Sequence, residues 1–318
     1  MPGLALAAAI AAAAMVAQRM SGIAGLSPLI LAVVAGIAIA NSTGVPKAAR
    51  PGLAIAMRPV LRFAIVLLGA QLTFVQIGEI GIGGISVVML TVAATFLFTL
   101  KAGALLGVEP ALARMIAAGT SICGASAVIA TNAVGGGRSD QVATAIACVT
   151  LFGTVAMLGY PLVGGLLGLD AHMYGVWTGA SVHEVAQAVA AGFAGGPEAG
   201  ETATVTKLAR VLMLAPVLLV VARSIKVPAG AKRPPAVPLF VVGFAAMVVL
   251  NSVVSVPAEL RQALSLATTF LMAMSLAAVG LATDIRALVS GGVRPFLLGL
   301  AAFLFVATFG MMLVTIIM

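Results

Sequence analysis

The sequence predicts an all-α polytopic membrane protein with an inverted-repeat transporter architecture. It has about nine transmembrane helices plus two re-entrant or broken helical segments, or eleven crossings if those two pass fully through. Three observations carry this. Of 318 residues, 62% are hydrophobic and only 8% are charged, against about 25% charged in a soluble domain. Apolar runs long enough for the roughly 20 helical residues that cross a bilayer recur with short links. Two stretches of the chain are also similar to two others further along.

The apolar runs lie near 2–18, 22–40, 59–77, 84–106, 141–166, 203–222, 236–255, 262–282 and 295–317. Segments 110–134 and 172–194 are long enough to cross but are interrupted by Gly and polar residues. The Ala-rich start lacks the basic region of a signal peptide, so it is expected to stay as a helix. With short links throughout, residues 1–318 are expected to form a single integral domain. Cys123 and Cys148 sit in apolar segments without metal or redox spacing, so no metal site is expected.

The net charge of +8 comes without basic runs interleaved with aromatics, which excludes a nucleic-acid partner and leaves membrane topology as the use of the cations. Cytoplasmic loops collect Lys and Arg. With the N-terminus inside, Lys47, Arg50, Arg58, Lys101, Arg114, Arg223, Lys226, Lys232, Arg233, Arg286 and Arg294 gather on one side, leaving little beyond Arg19 and Arg261 on the other. The stretch "RSIKVPAGAKRPP", 223–235, is expected to be a cytoplasmic linker.

The repeats locate the chemistry. "ARMIAAGTSICGASAVIATNAV" and "MYGVWTGASVHEVAQAV" superpose with Gly119 on Gly179 and Ser121 on Ser181, and the spans behind them match as well, pairing 110–166 with 172–222. A weaker pair joins 59–106 to 262–317. If the two interrupted segments are re-entrant hairpins, one crossing separates the first pair and the repeats become inverted; if both cross fully, the pair points one way. Arg138 is the residue whose side depends on the choice.

Non-helical backbone at membrane depth is tolerated only where it is buried in protein or lines a wet cavity. In each break a second half-helix starts after a Ser in a Gly-rich turn, so its free N–H groups and positive dipole end can hold an anion. Thr120, Ser121, Cys123, Gly124 and Ser126 would line one side of the site, and Ser181, His183, Glu184 and Gln187 the other. Lys207 and Arg210, three apart on one helix face, would add positive charge, one pairing with Glu184. Their counterparts in the first repeat are Ala147 and Thr150. His183, Glu184 and Gln187 are the expected coupling group, because ionisable residues at membrane depth mark pathways and His changes charge near neutral pH.

Plainer roles fit the same residues. Ser181-Val-His-Glu184 matches a capping box, and Lys207 could snorkel to the outer interface. Neither a Walker sequence, nor HExxH, nor a dinucleotide fingerprint occurs, so an enzyme or ATP-driven pump lacks its parts.

"GTSICGASAVIAT", "SVHEVAQAVAAG", "KLARVLMLAP" and "AMSLAAVGLATDI" resemble the YeiH-like bacterial inner-membrane family, also labelled sulfate exporters, from about residue 22 to the end. The resemblance implies inverted repeats, a substrate site at discontinuous helices and the bacterial inner membrane as location. The expectation is a secondary active transporter of a small anion, namely sulfate, a sulfonate or a small carboxylate. It would lie in the lipid bilayer, coupled to H⁺ or Na⁺ and with no other cofactor. A passive anion channel and a non-transporting ligand sensor stay open as alternatives, as does assembly into a homo-oligomer.

Overall fold

The computed structural model describes residues 2–21, 27–78, 80–224, 239–254, 257–283 and 292–318. The linker beyond Ser224, with Lys226, Lys232 and Arg233, and the stretch holding Arg286 lie outside the described residues. Among the described residues every regular element is helical, and seven helices are long and apolar enough to cross a membrane. The chain is an all-α polytopic membrane protein. Pro28–Ser42 and Leu239–Val253 are apolar but 15 residues each, and they are the described parts of the runs expected at 22–40 and 236–255.

The helices are α1 (Pro2–Ser21), α2 (Pro28–Ser42), α3 (Lys47–Gly69) and α4 (Gly81–Leu105). The first interrupted segment gives α5 (Pro110–Ala118) and α6 (Ala125–Gly135), followed by α7 (Ser139–Leu166). The second gives α8 (Ala171–Ser181) and α9 (Val185–Ala194), followed by α10 (Pro197–Leu212). Then come α11 (Leu239–Val253), α12 (Ala258–Ala282) and α13 (Val293–Ile317).

The run expected at 59–77 is displaced: α3 starts at Lys47 and ends at Gly69. Pro51 sits in the first turn of the stretch Arg50–Ile55, which follows a tighter turn at Lys47–Ala49, so its missing N–H costs little, and Pro59 is absorbed by one wide turn at Ala56–Val60. Two prolines that signal breaks in the sequence are thus carried inside one helix.

The chain divides into two compact units. The first comprises Met1–Glu79 and Pro238–Ile285. Within it α2 lies against α12 and α11 against α3. The α2–α12 crossing brings backbones together: a methyl on Gly36 would lie 2.5 Å from the Ala277 carbonyl, and one on Gly280 would strike that of Val33. Small residues at a crossing give membrane helices their packing.

The second unit comprises Ile80–Val237 and Arg286–Met318. Here α4 packs on α13, while α10 packs along both α8 and α9. An apolar cluster of Leu112, Met115, Ile116, Val128, Ala145, Val149 and Leu298 holds α5, α6, α7 and α13 together.

Both interrupted segments double back. Tyr174 in the first turn of α8 donates its Oη to the carbonyl of Ala191 in the last turn of α9, at 2.8 Å. Methyl groups added to Gly175 and to Gly192 would meet the same turn of α10, at Ala199. In the first segment Glu109, just before α5, pairs at 3.1 Å with Arg138, just after α6, and Gln141 also donates to it. Start and end therefore share one side in each, and neither segment crosses. The 28 residues of α7 span about 42 Å between the two hairpin bases, so the hairpins enter from opposite ends of that helix. Glu109 and Arg138 are more than half exposed, so Glu109→Gln should lower the melting temperature only slightly, and less still at high salt. A melting curve of the purified protein in detergent at two ionic strengths checks this.

Candidate functional site

The two hairpin tips meet around α10. Lys207 is the eleventh residue of the 27-residue span Pro197–Arg223, about 15 Å along it, and so lies near mid-bilayer. Its Nζ donates to the Ile122 carbonyl on the first tip at 2.7 Å, and to Val182 and His183 on the second at 2.8 and 2.6 Å. One turn on, Arg210 donates Nε to Ser121 at 2.7 Å, Nη1 to Val182 at 2.7 Å and Nη2 to Thr120. Three acceptors require three N–H donors, so Lys207 is an ammonium; the Arg210 guanidinium is charged by its chemistry.

Both cations are completely buried. Lys207 does not snorkel to an interface, and neither side chain faces an open space, contrary to the expectation for an anion-contacting face. The reason lies in helix termini: the half-helices before each break end in carbonyls without intrahelical partners, carrying the negative dipole end, and these take the cations. The six hydrogen bonds pin both tips to one helix.

The starts of the second half-helices are placed differently. Gly124 precedes α6 with φ +67°, a conformation that favours glycine, and no side chain caps that start. Glu184 lies against it: a methyl on Gly124 would collide with the Glu184 Cγ and come within 3.2 Å of its Oε1. Glu184 is at the same time the N-cap of α9, in a capping box with Gln187, whose Oε1 accepts the Glu184 N–H at 3.1 Å. The expected box Ser181–Glu184 is therefore displaced by three residues. Ser181 ends α8 and donates back to the Trp177 carbonyl at 2.5 Å. Val182 is extended, so the second half-helix begins at Glu184 itself.

Two residues that the sequence did not single out as ligands complete the tip. Thr150 Oγ1 donates to Glu184 Oε1 at 2.9 Å, and Gln187 Nε2 donates to the Thr150 carbonyl at 3.1 Å and to Thr154 Oγ1 at 3.2 Å. Thr150 is the repeat counterpart of Arg210, so equivalent positions on α7 and α10 both reach the breaks. A Thr four residues before another on an apolar helix was the available signal.

Exposure separates these groups. Thr120, Ser121, Cys123, Gly124, Ser181, His183 and Gln187 are buried, while Glu184, Val185, Ala125 and Thr150 are half-buried and Ser126 is exposed. The accessible part of the site is thus the pair of helix starts with the Glu184 carboxylate between them. His183 points elsewhere: its ring lies 6.1 Å from that of Phe303, and neither ring nitrogen has a hydrogen-bond partner among the described residues. No cluster of His, Cys, Asp and Glu suited to a metal is present among the described residues.

Charge at the tips follows from the parts. A helix end carries about half a charge. Two whole cations stand against about one negative charge from the two carbonyl ends. The two starts add about one positive charge and Glu184 removes one, so the tips keep a surplus of about one positive charge.

Two opposed helical hairpins meeting at a charged centre within a bundle of spanning helices define a polytopic membrane protein with its polar site at membrane depth. The comparisons give the family. A model described as conserved hypothetical protein 698 matches residues 2–299. A UPF0324 membrane protein of Corynebacterium glutamicum is 39% identical over 302 residues, covering 93% of this chain and 87% of that protein. The UPF0324 inner membrane protein YeiH of Escherichia coli is 38% identical over 313 residues, covering 95% and 90%. A UPF0324 membrane protein of Pseudomonas aeruginosa is 39% identical over 321 residues, covering 96% and 90%. No solved structure matches the chain. The chain belongs to the UPF0324 family of membrane proteins and is a multi-pass inner-membrane protein.

Proposed function

We propose that the protein is a secondary active transporter of a small anion, with sulfate, a sulfonate or a small carboxylate as substrate. The observation that carries this is the pair of helix starts, at Gly124 and Glu184, opening together beside exposed Ser126 in a region of surplus positive charge. Lys207 and Arg210 serve it from behind: by neutralising the carbonyl ends they leave the amide ends as the uncompensated pole. Glu184, with its partial exposure and its hydroxyl partner Thr150, is the coupling group, positioned by Gln187. Inverted repeats and an N-terminus in the cytoplasm fit the placement of the cations, since Lys101, Arg114 and Arg138 then share the side from which the first hairpin enters.

The test is uptake of labelled sulfate into liposomes holding the purified protein, under imposed pH and Na⁺ gradients. Saturable uptake, inhibited by methanesulfonate or acetate and accelerated by one of the gradients, is the expected result. Linear flux that ignores both gradients would replace the transporter with a channel, and absence of flux for every anion would remove both.

A further inference from the structure

We propose that Glu184 is a tethered competitor of the transported anion: its carboxylate occupies the position between the two helix starts, so an anion enters only with a proton that neutralises it. This rests on the anion-transport reading above and gives it a direction of coupling.

The carboxylate behaves as a bound anion would. It belongs to the N-cap residue of α9, lies against the uncapped start of α6 at Gly124, and accepts a hydroxyl hydrogen bond from Thr150 on a third helix. These are the donors that the site would offer to sulfate. Glu184 is half-buried, whereas the cations behind it are sealed off, so it stands between the outside and the charged centre. Among the described residues, the charged and titratable groups gathered at the tips are Lys207 and Arg210 from α10, Tyr160 from α7 beside Arg210, Cys123 from the first tip and His183 beside Glu184. Lys207 and Arg210 are held by six hydrogen bonds to five backbone carbonyls, which leaves Glu184 as the charge that can leave.

With Glu184 ionised the tips carry a surplus of about one positive charge, and with it protonated about two. The second value matches a dianion. A proton taken from solvent onto the carboxylate converts it to a neutral acid, which frees the helix starts; the anion then binds, and both are released on the far side. Proton and anion therefore move in the same direction. A ligand whose competent state is a minority binds more weakly by that fraction, so removing the internal carboxylate tightens binding.

The experiment uses the full-length protein and Glu184→Gln, whose amide still accepts at the cap. Sulfate binding is measured calorimetrically near pH 7.5, and labelled sulfate uptake is measured in liposomes with the proton gradient imposed inward or outward. Expected results are sulfate binding to Glu184→Gln about tenfold tighter or more, wild-type uptake accelerated by the inward gradient, and no gradient response in the variant. Equal sulfate affinity in the two proteins, or an unchanged gradient response in the variant, overturns the proposal while leaving anion transport standing. Faster uptake under the outward gradient overturns it likewise. Absence of sulfate, methanesulfonate and acetate flux in both proteins overturns the transport reading itself. Glu184→Asp, which keeps the charge on a shorter stem, retains wild-type affinity within about threefold under the proposal; a gain as large as that of Glu184→Gln points to a loosened cap instead and overturns it.

Discussion

Lys207→Met should lose about 3–5 kcal/mol of stability, because it strands two buried carbonyls, Ile122 on one hairpin tip and His183 on the other, and takes one of two donors from Val182. The methionine fills most of the volume, so the loss comes from stranded carbonyls rather than from a cavity. Arg210 keeps its bond to Val182, but its three nitrogens are directed at Thr120, Ser121 and Val182, so Ile122 and His183 are left without a donor. The two tips should part company and the protein should melt many degrees earlier in detergent, or fail to elute as a single species. A melting temperature equal to that of the wild type would mean that the carbonyl ends do not depend on Lys207, and the description of the tips would have to change.

Gly124→Ala should sharply slow transport while leaving most of the fold in place. Two costs coincide there. A β-carbon is strained at φ +67°, by about 1–3 kcal/mol, and it also collides with the Glu184 side chain. Gly136 provides a matched control, since it too has positive φ, at 61°, but has nothing within 4 Å of the position a β-carbon would take. Gly136→Ala should therefore cost stability of similar size and keep transport. Gly124→Ala should drop the initial rate of sulfate uptake by about 100-fold, the scale on which a displacement of 1 Å at a site is felt. Equal rates in the two variants would show that the approach of Glu184 to Gly124 has no part in function.

How much of this the sequence disclosed depends on which atoms carry the information. The two breaks were legible because glycine and serine at matching positions, Gly119 with Gly179 and Ser121 with Ser181, interrupt otherwise apolar runs. Lys207, Arg210, His183 and Glu184 stood out because charge and imidazole are rare at that depth. What the cations bind was not legible, for their acceptors are the carbonyls of Thr120, Ser121, Ile122, Val182 and His183, which any residue type supplies. The same limit explains the displaced capping box: Ser181 and Glu184 have the right spacing, but Val182 is extended, so Glu184 begins the helix instead of sitting in its first turn. The choice between crossing and doubling back was settled by Tyr174 with Ala191 and by Glu109 with Arg138, contacts between the ends of each segment that no periodicity reveals. The start of α3 at Lys47 was likewise not legible, because a single wide turn lets the helix run through Pro59.

The central claim is that the two helix starts at Gly124 and Glu184 form one anion site. Its most direct test is an experimental structure in a lipid nanodisc with selenate, a heavier stand-in for sulfate, using Glu184→Gln to vacate the site. The account predicts selenate density between the starts of α6 and α9, within hydrogen-bond reach of Ser126 and Thr150. Selenate seated elsewhere, such as beside Asp170 and Glu198 at the base of the second hairpin, with the two starts unoccupied at saturating concentration, would contradict it.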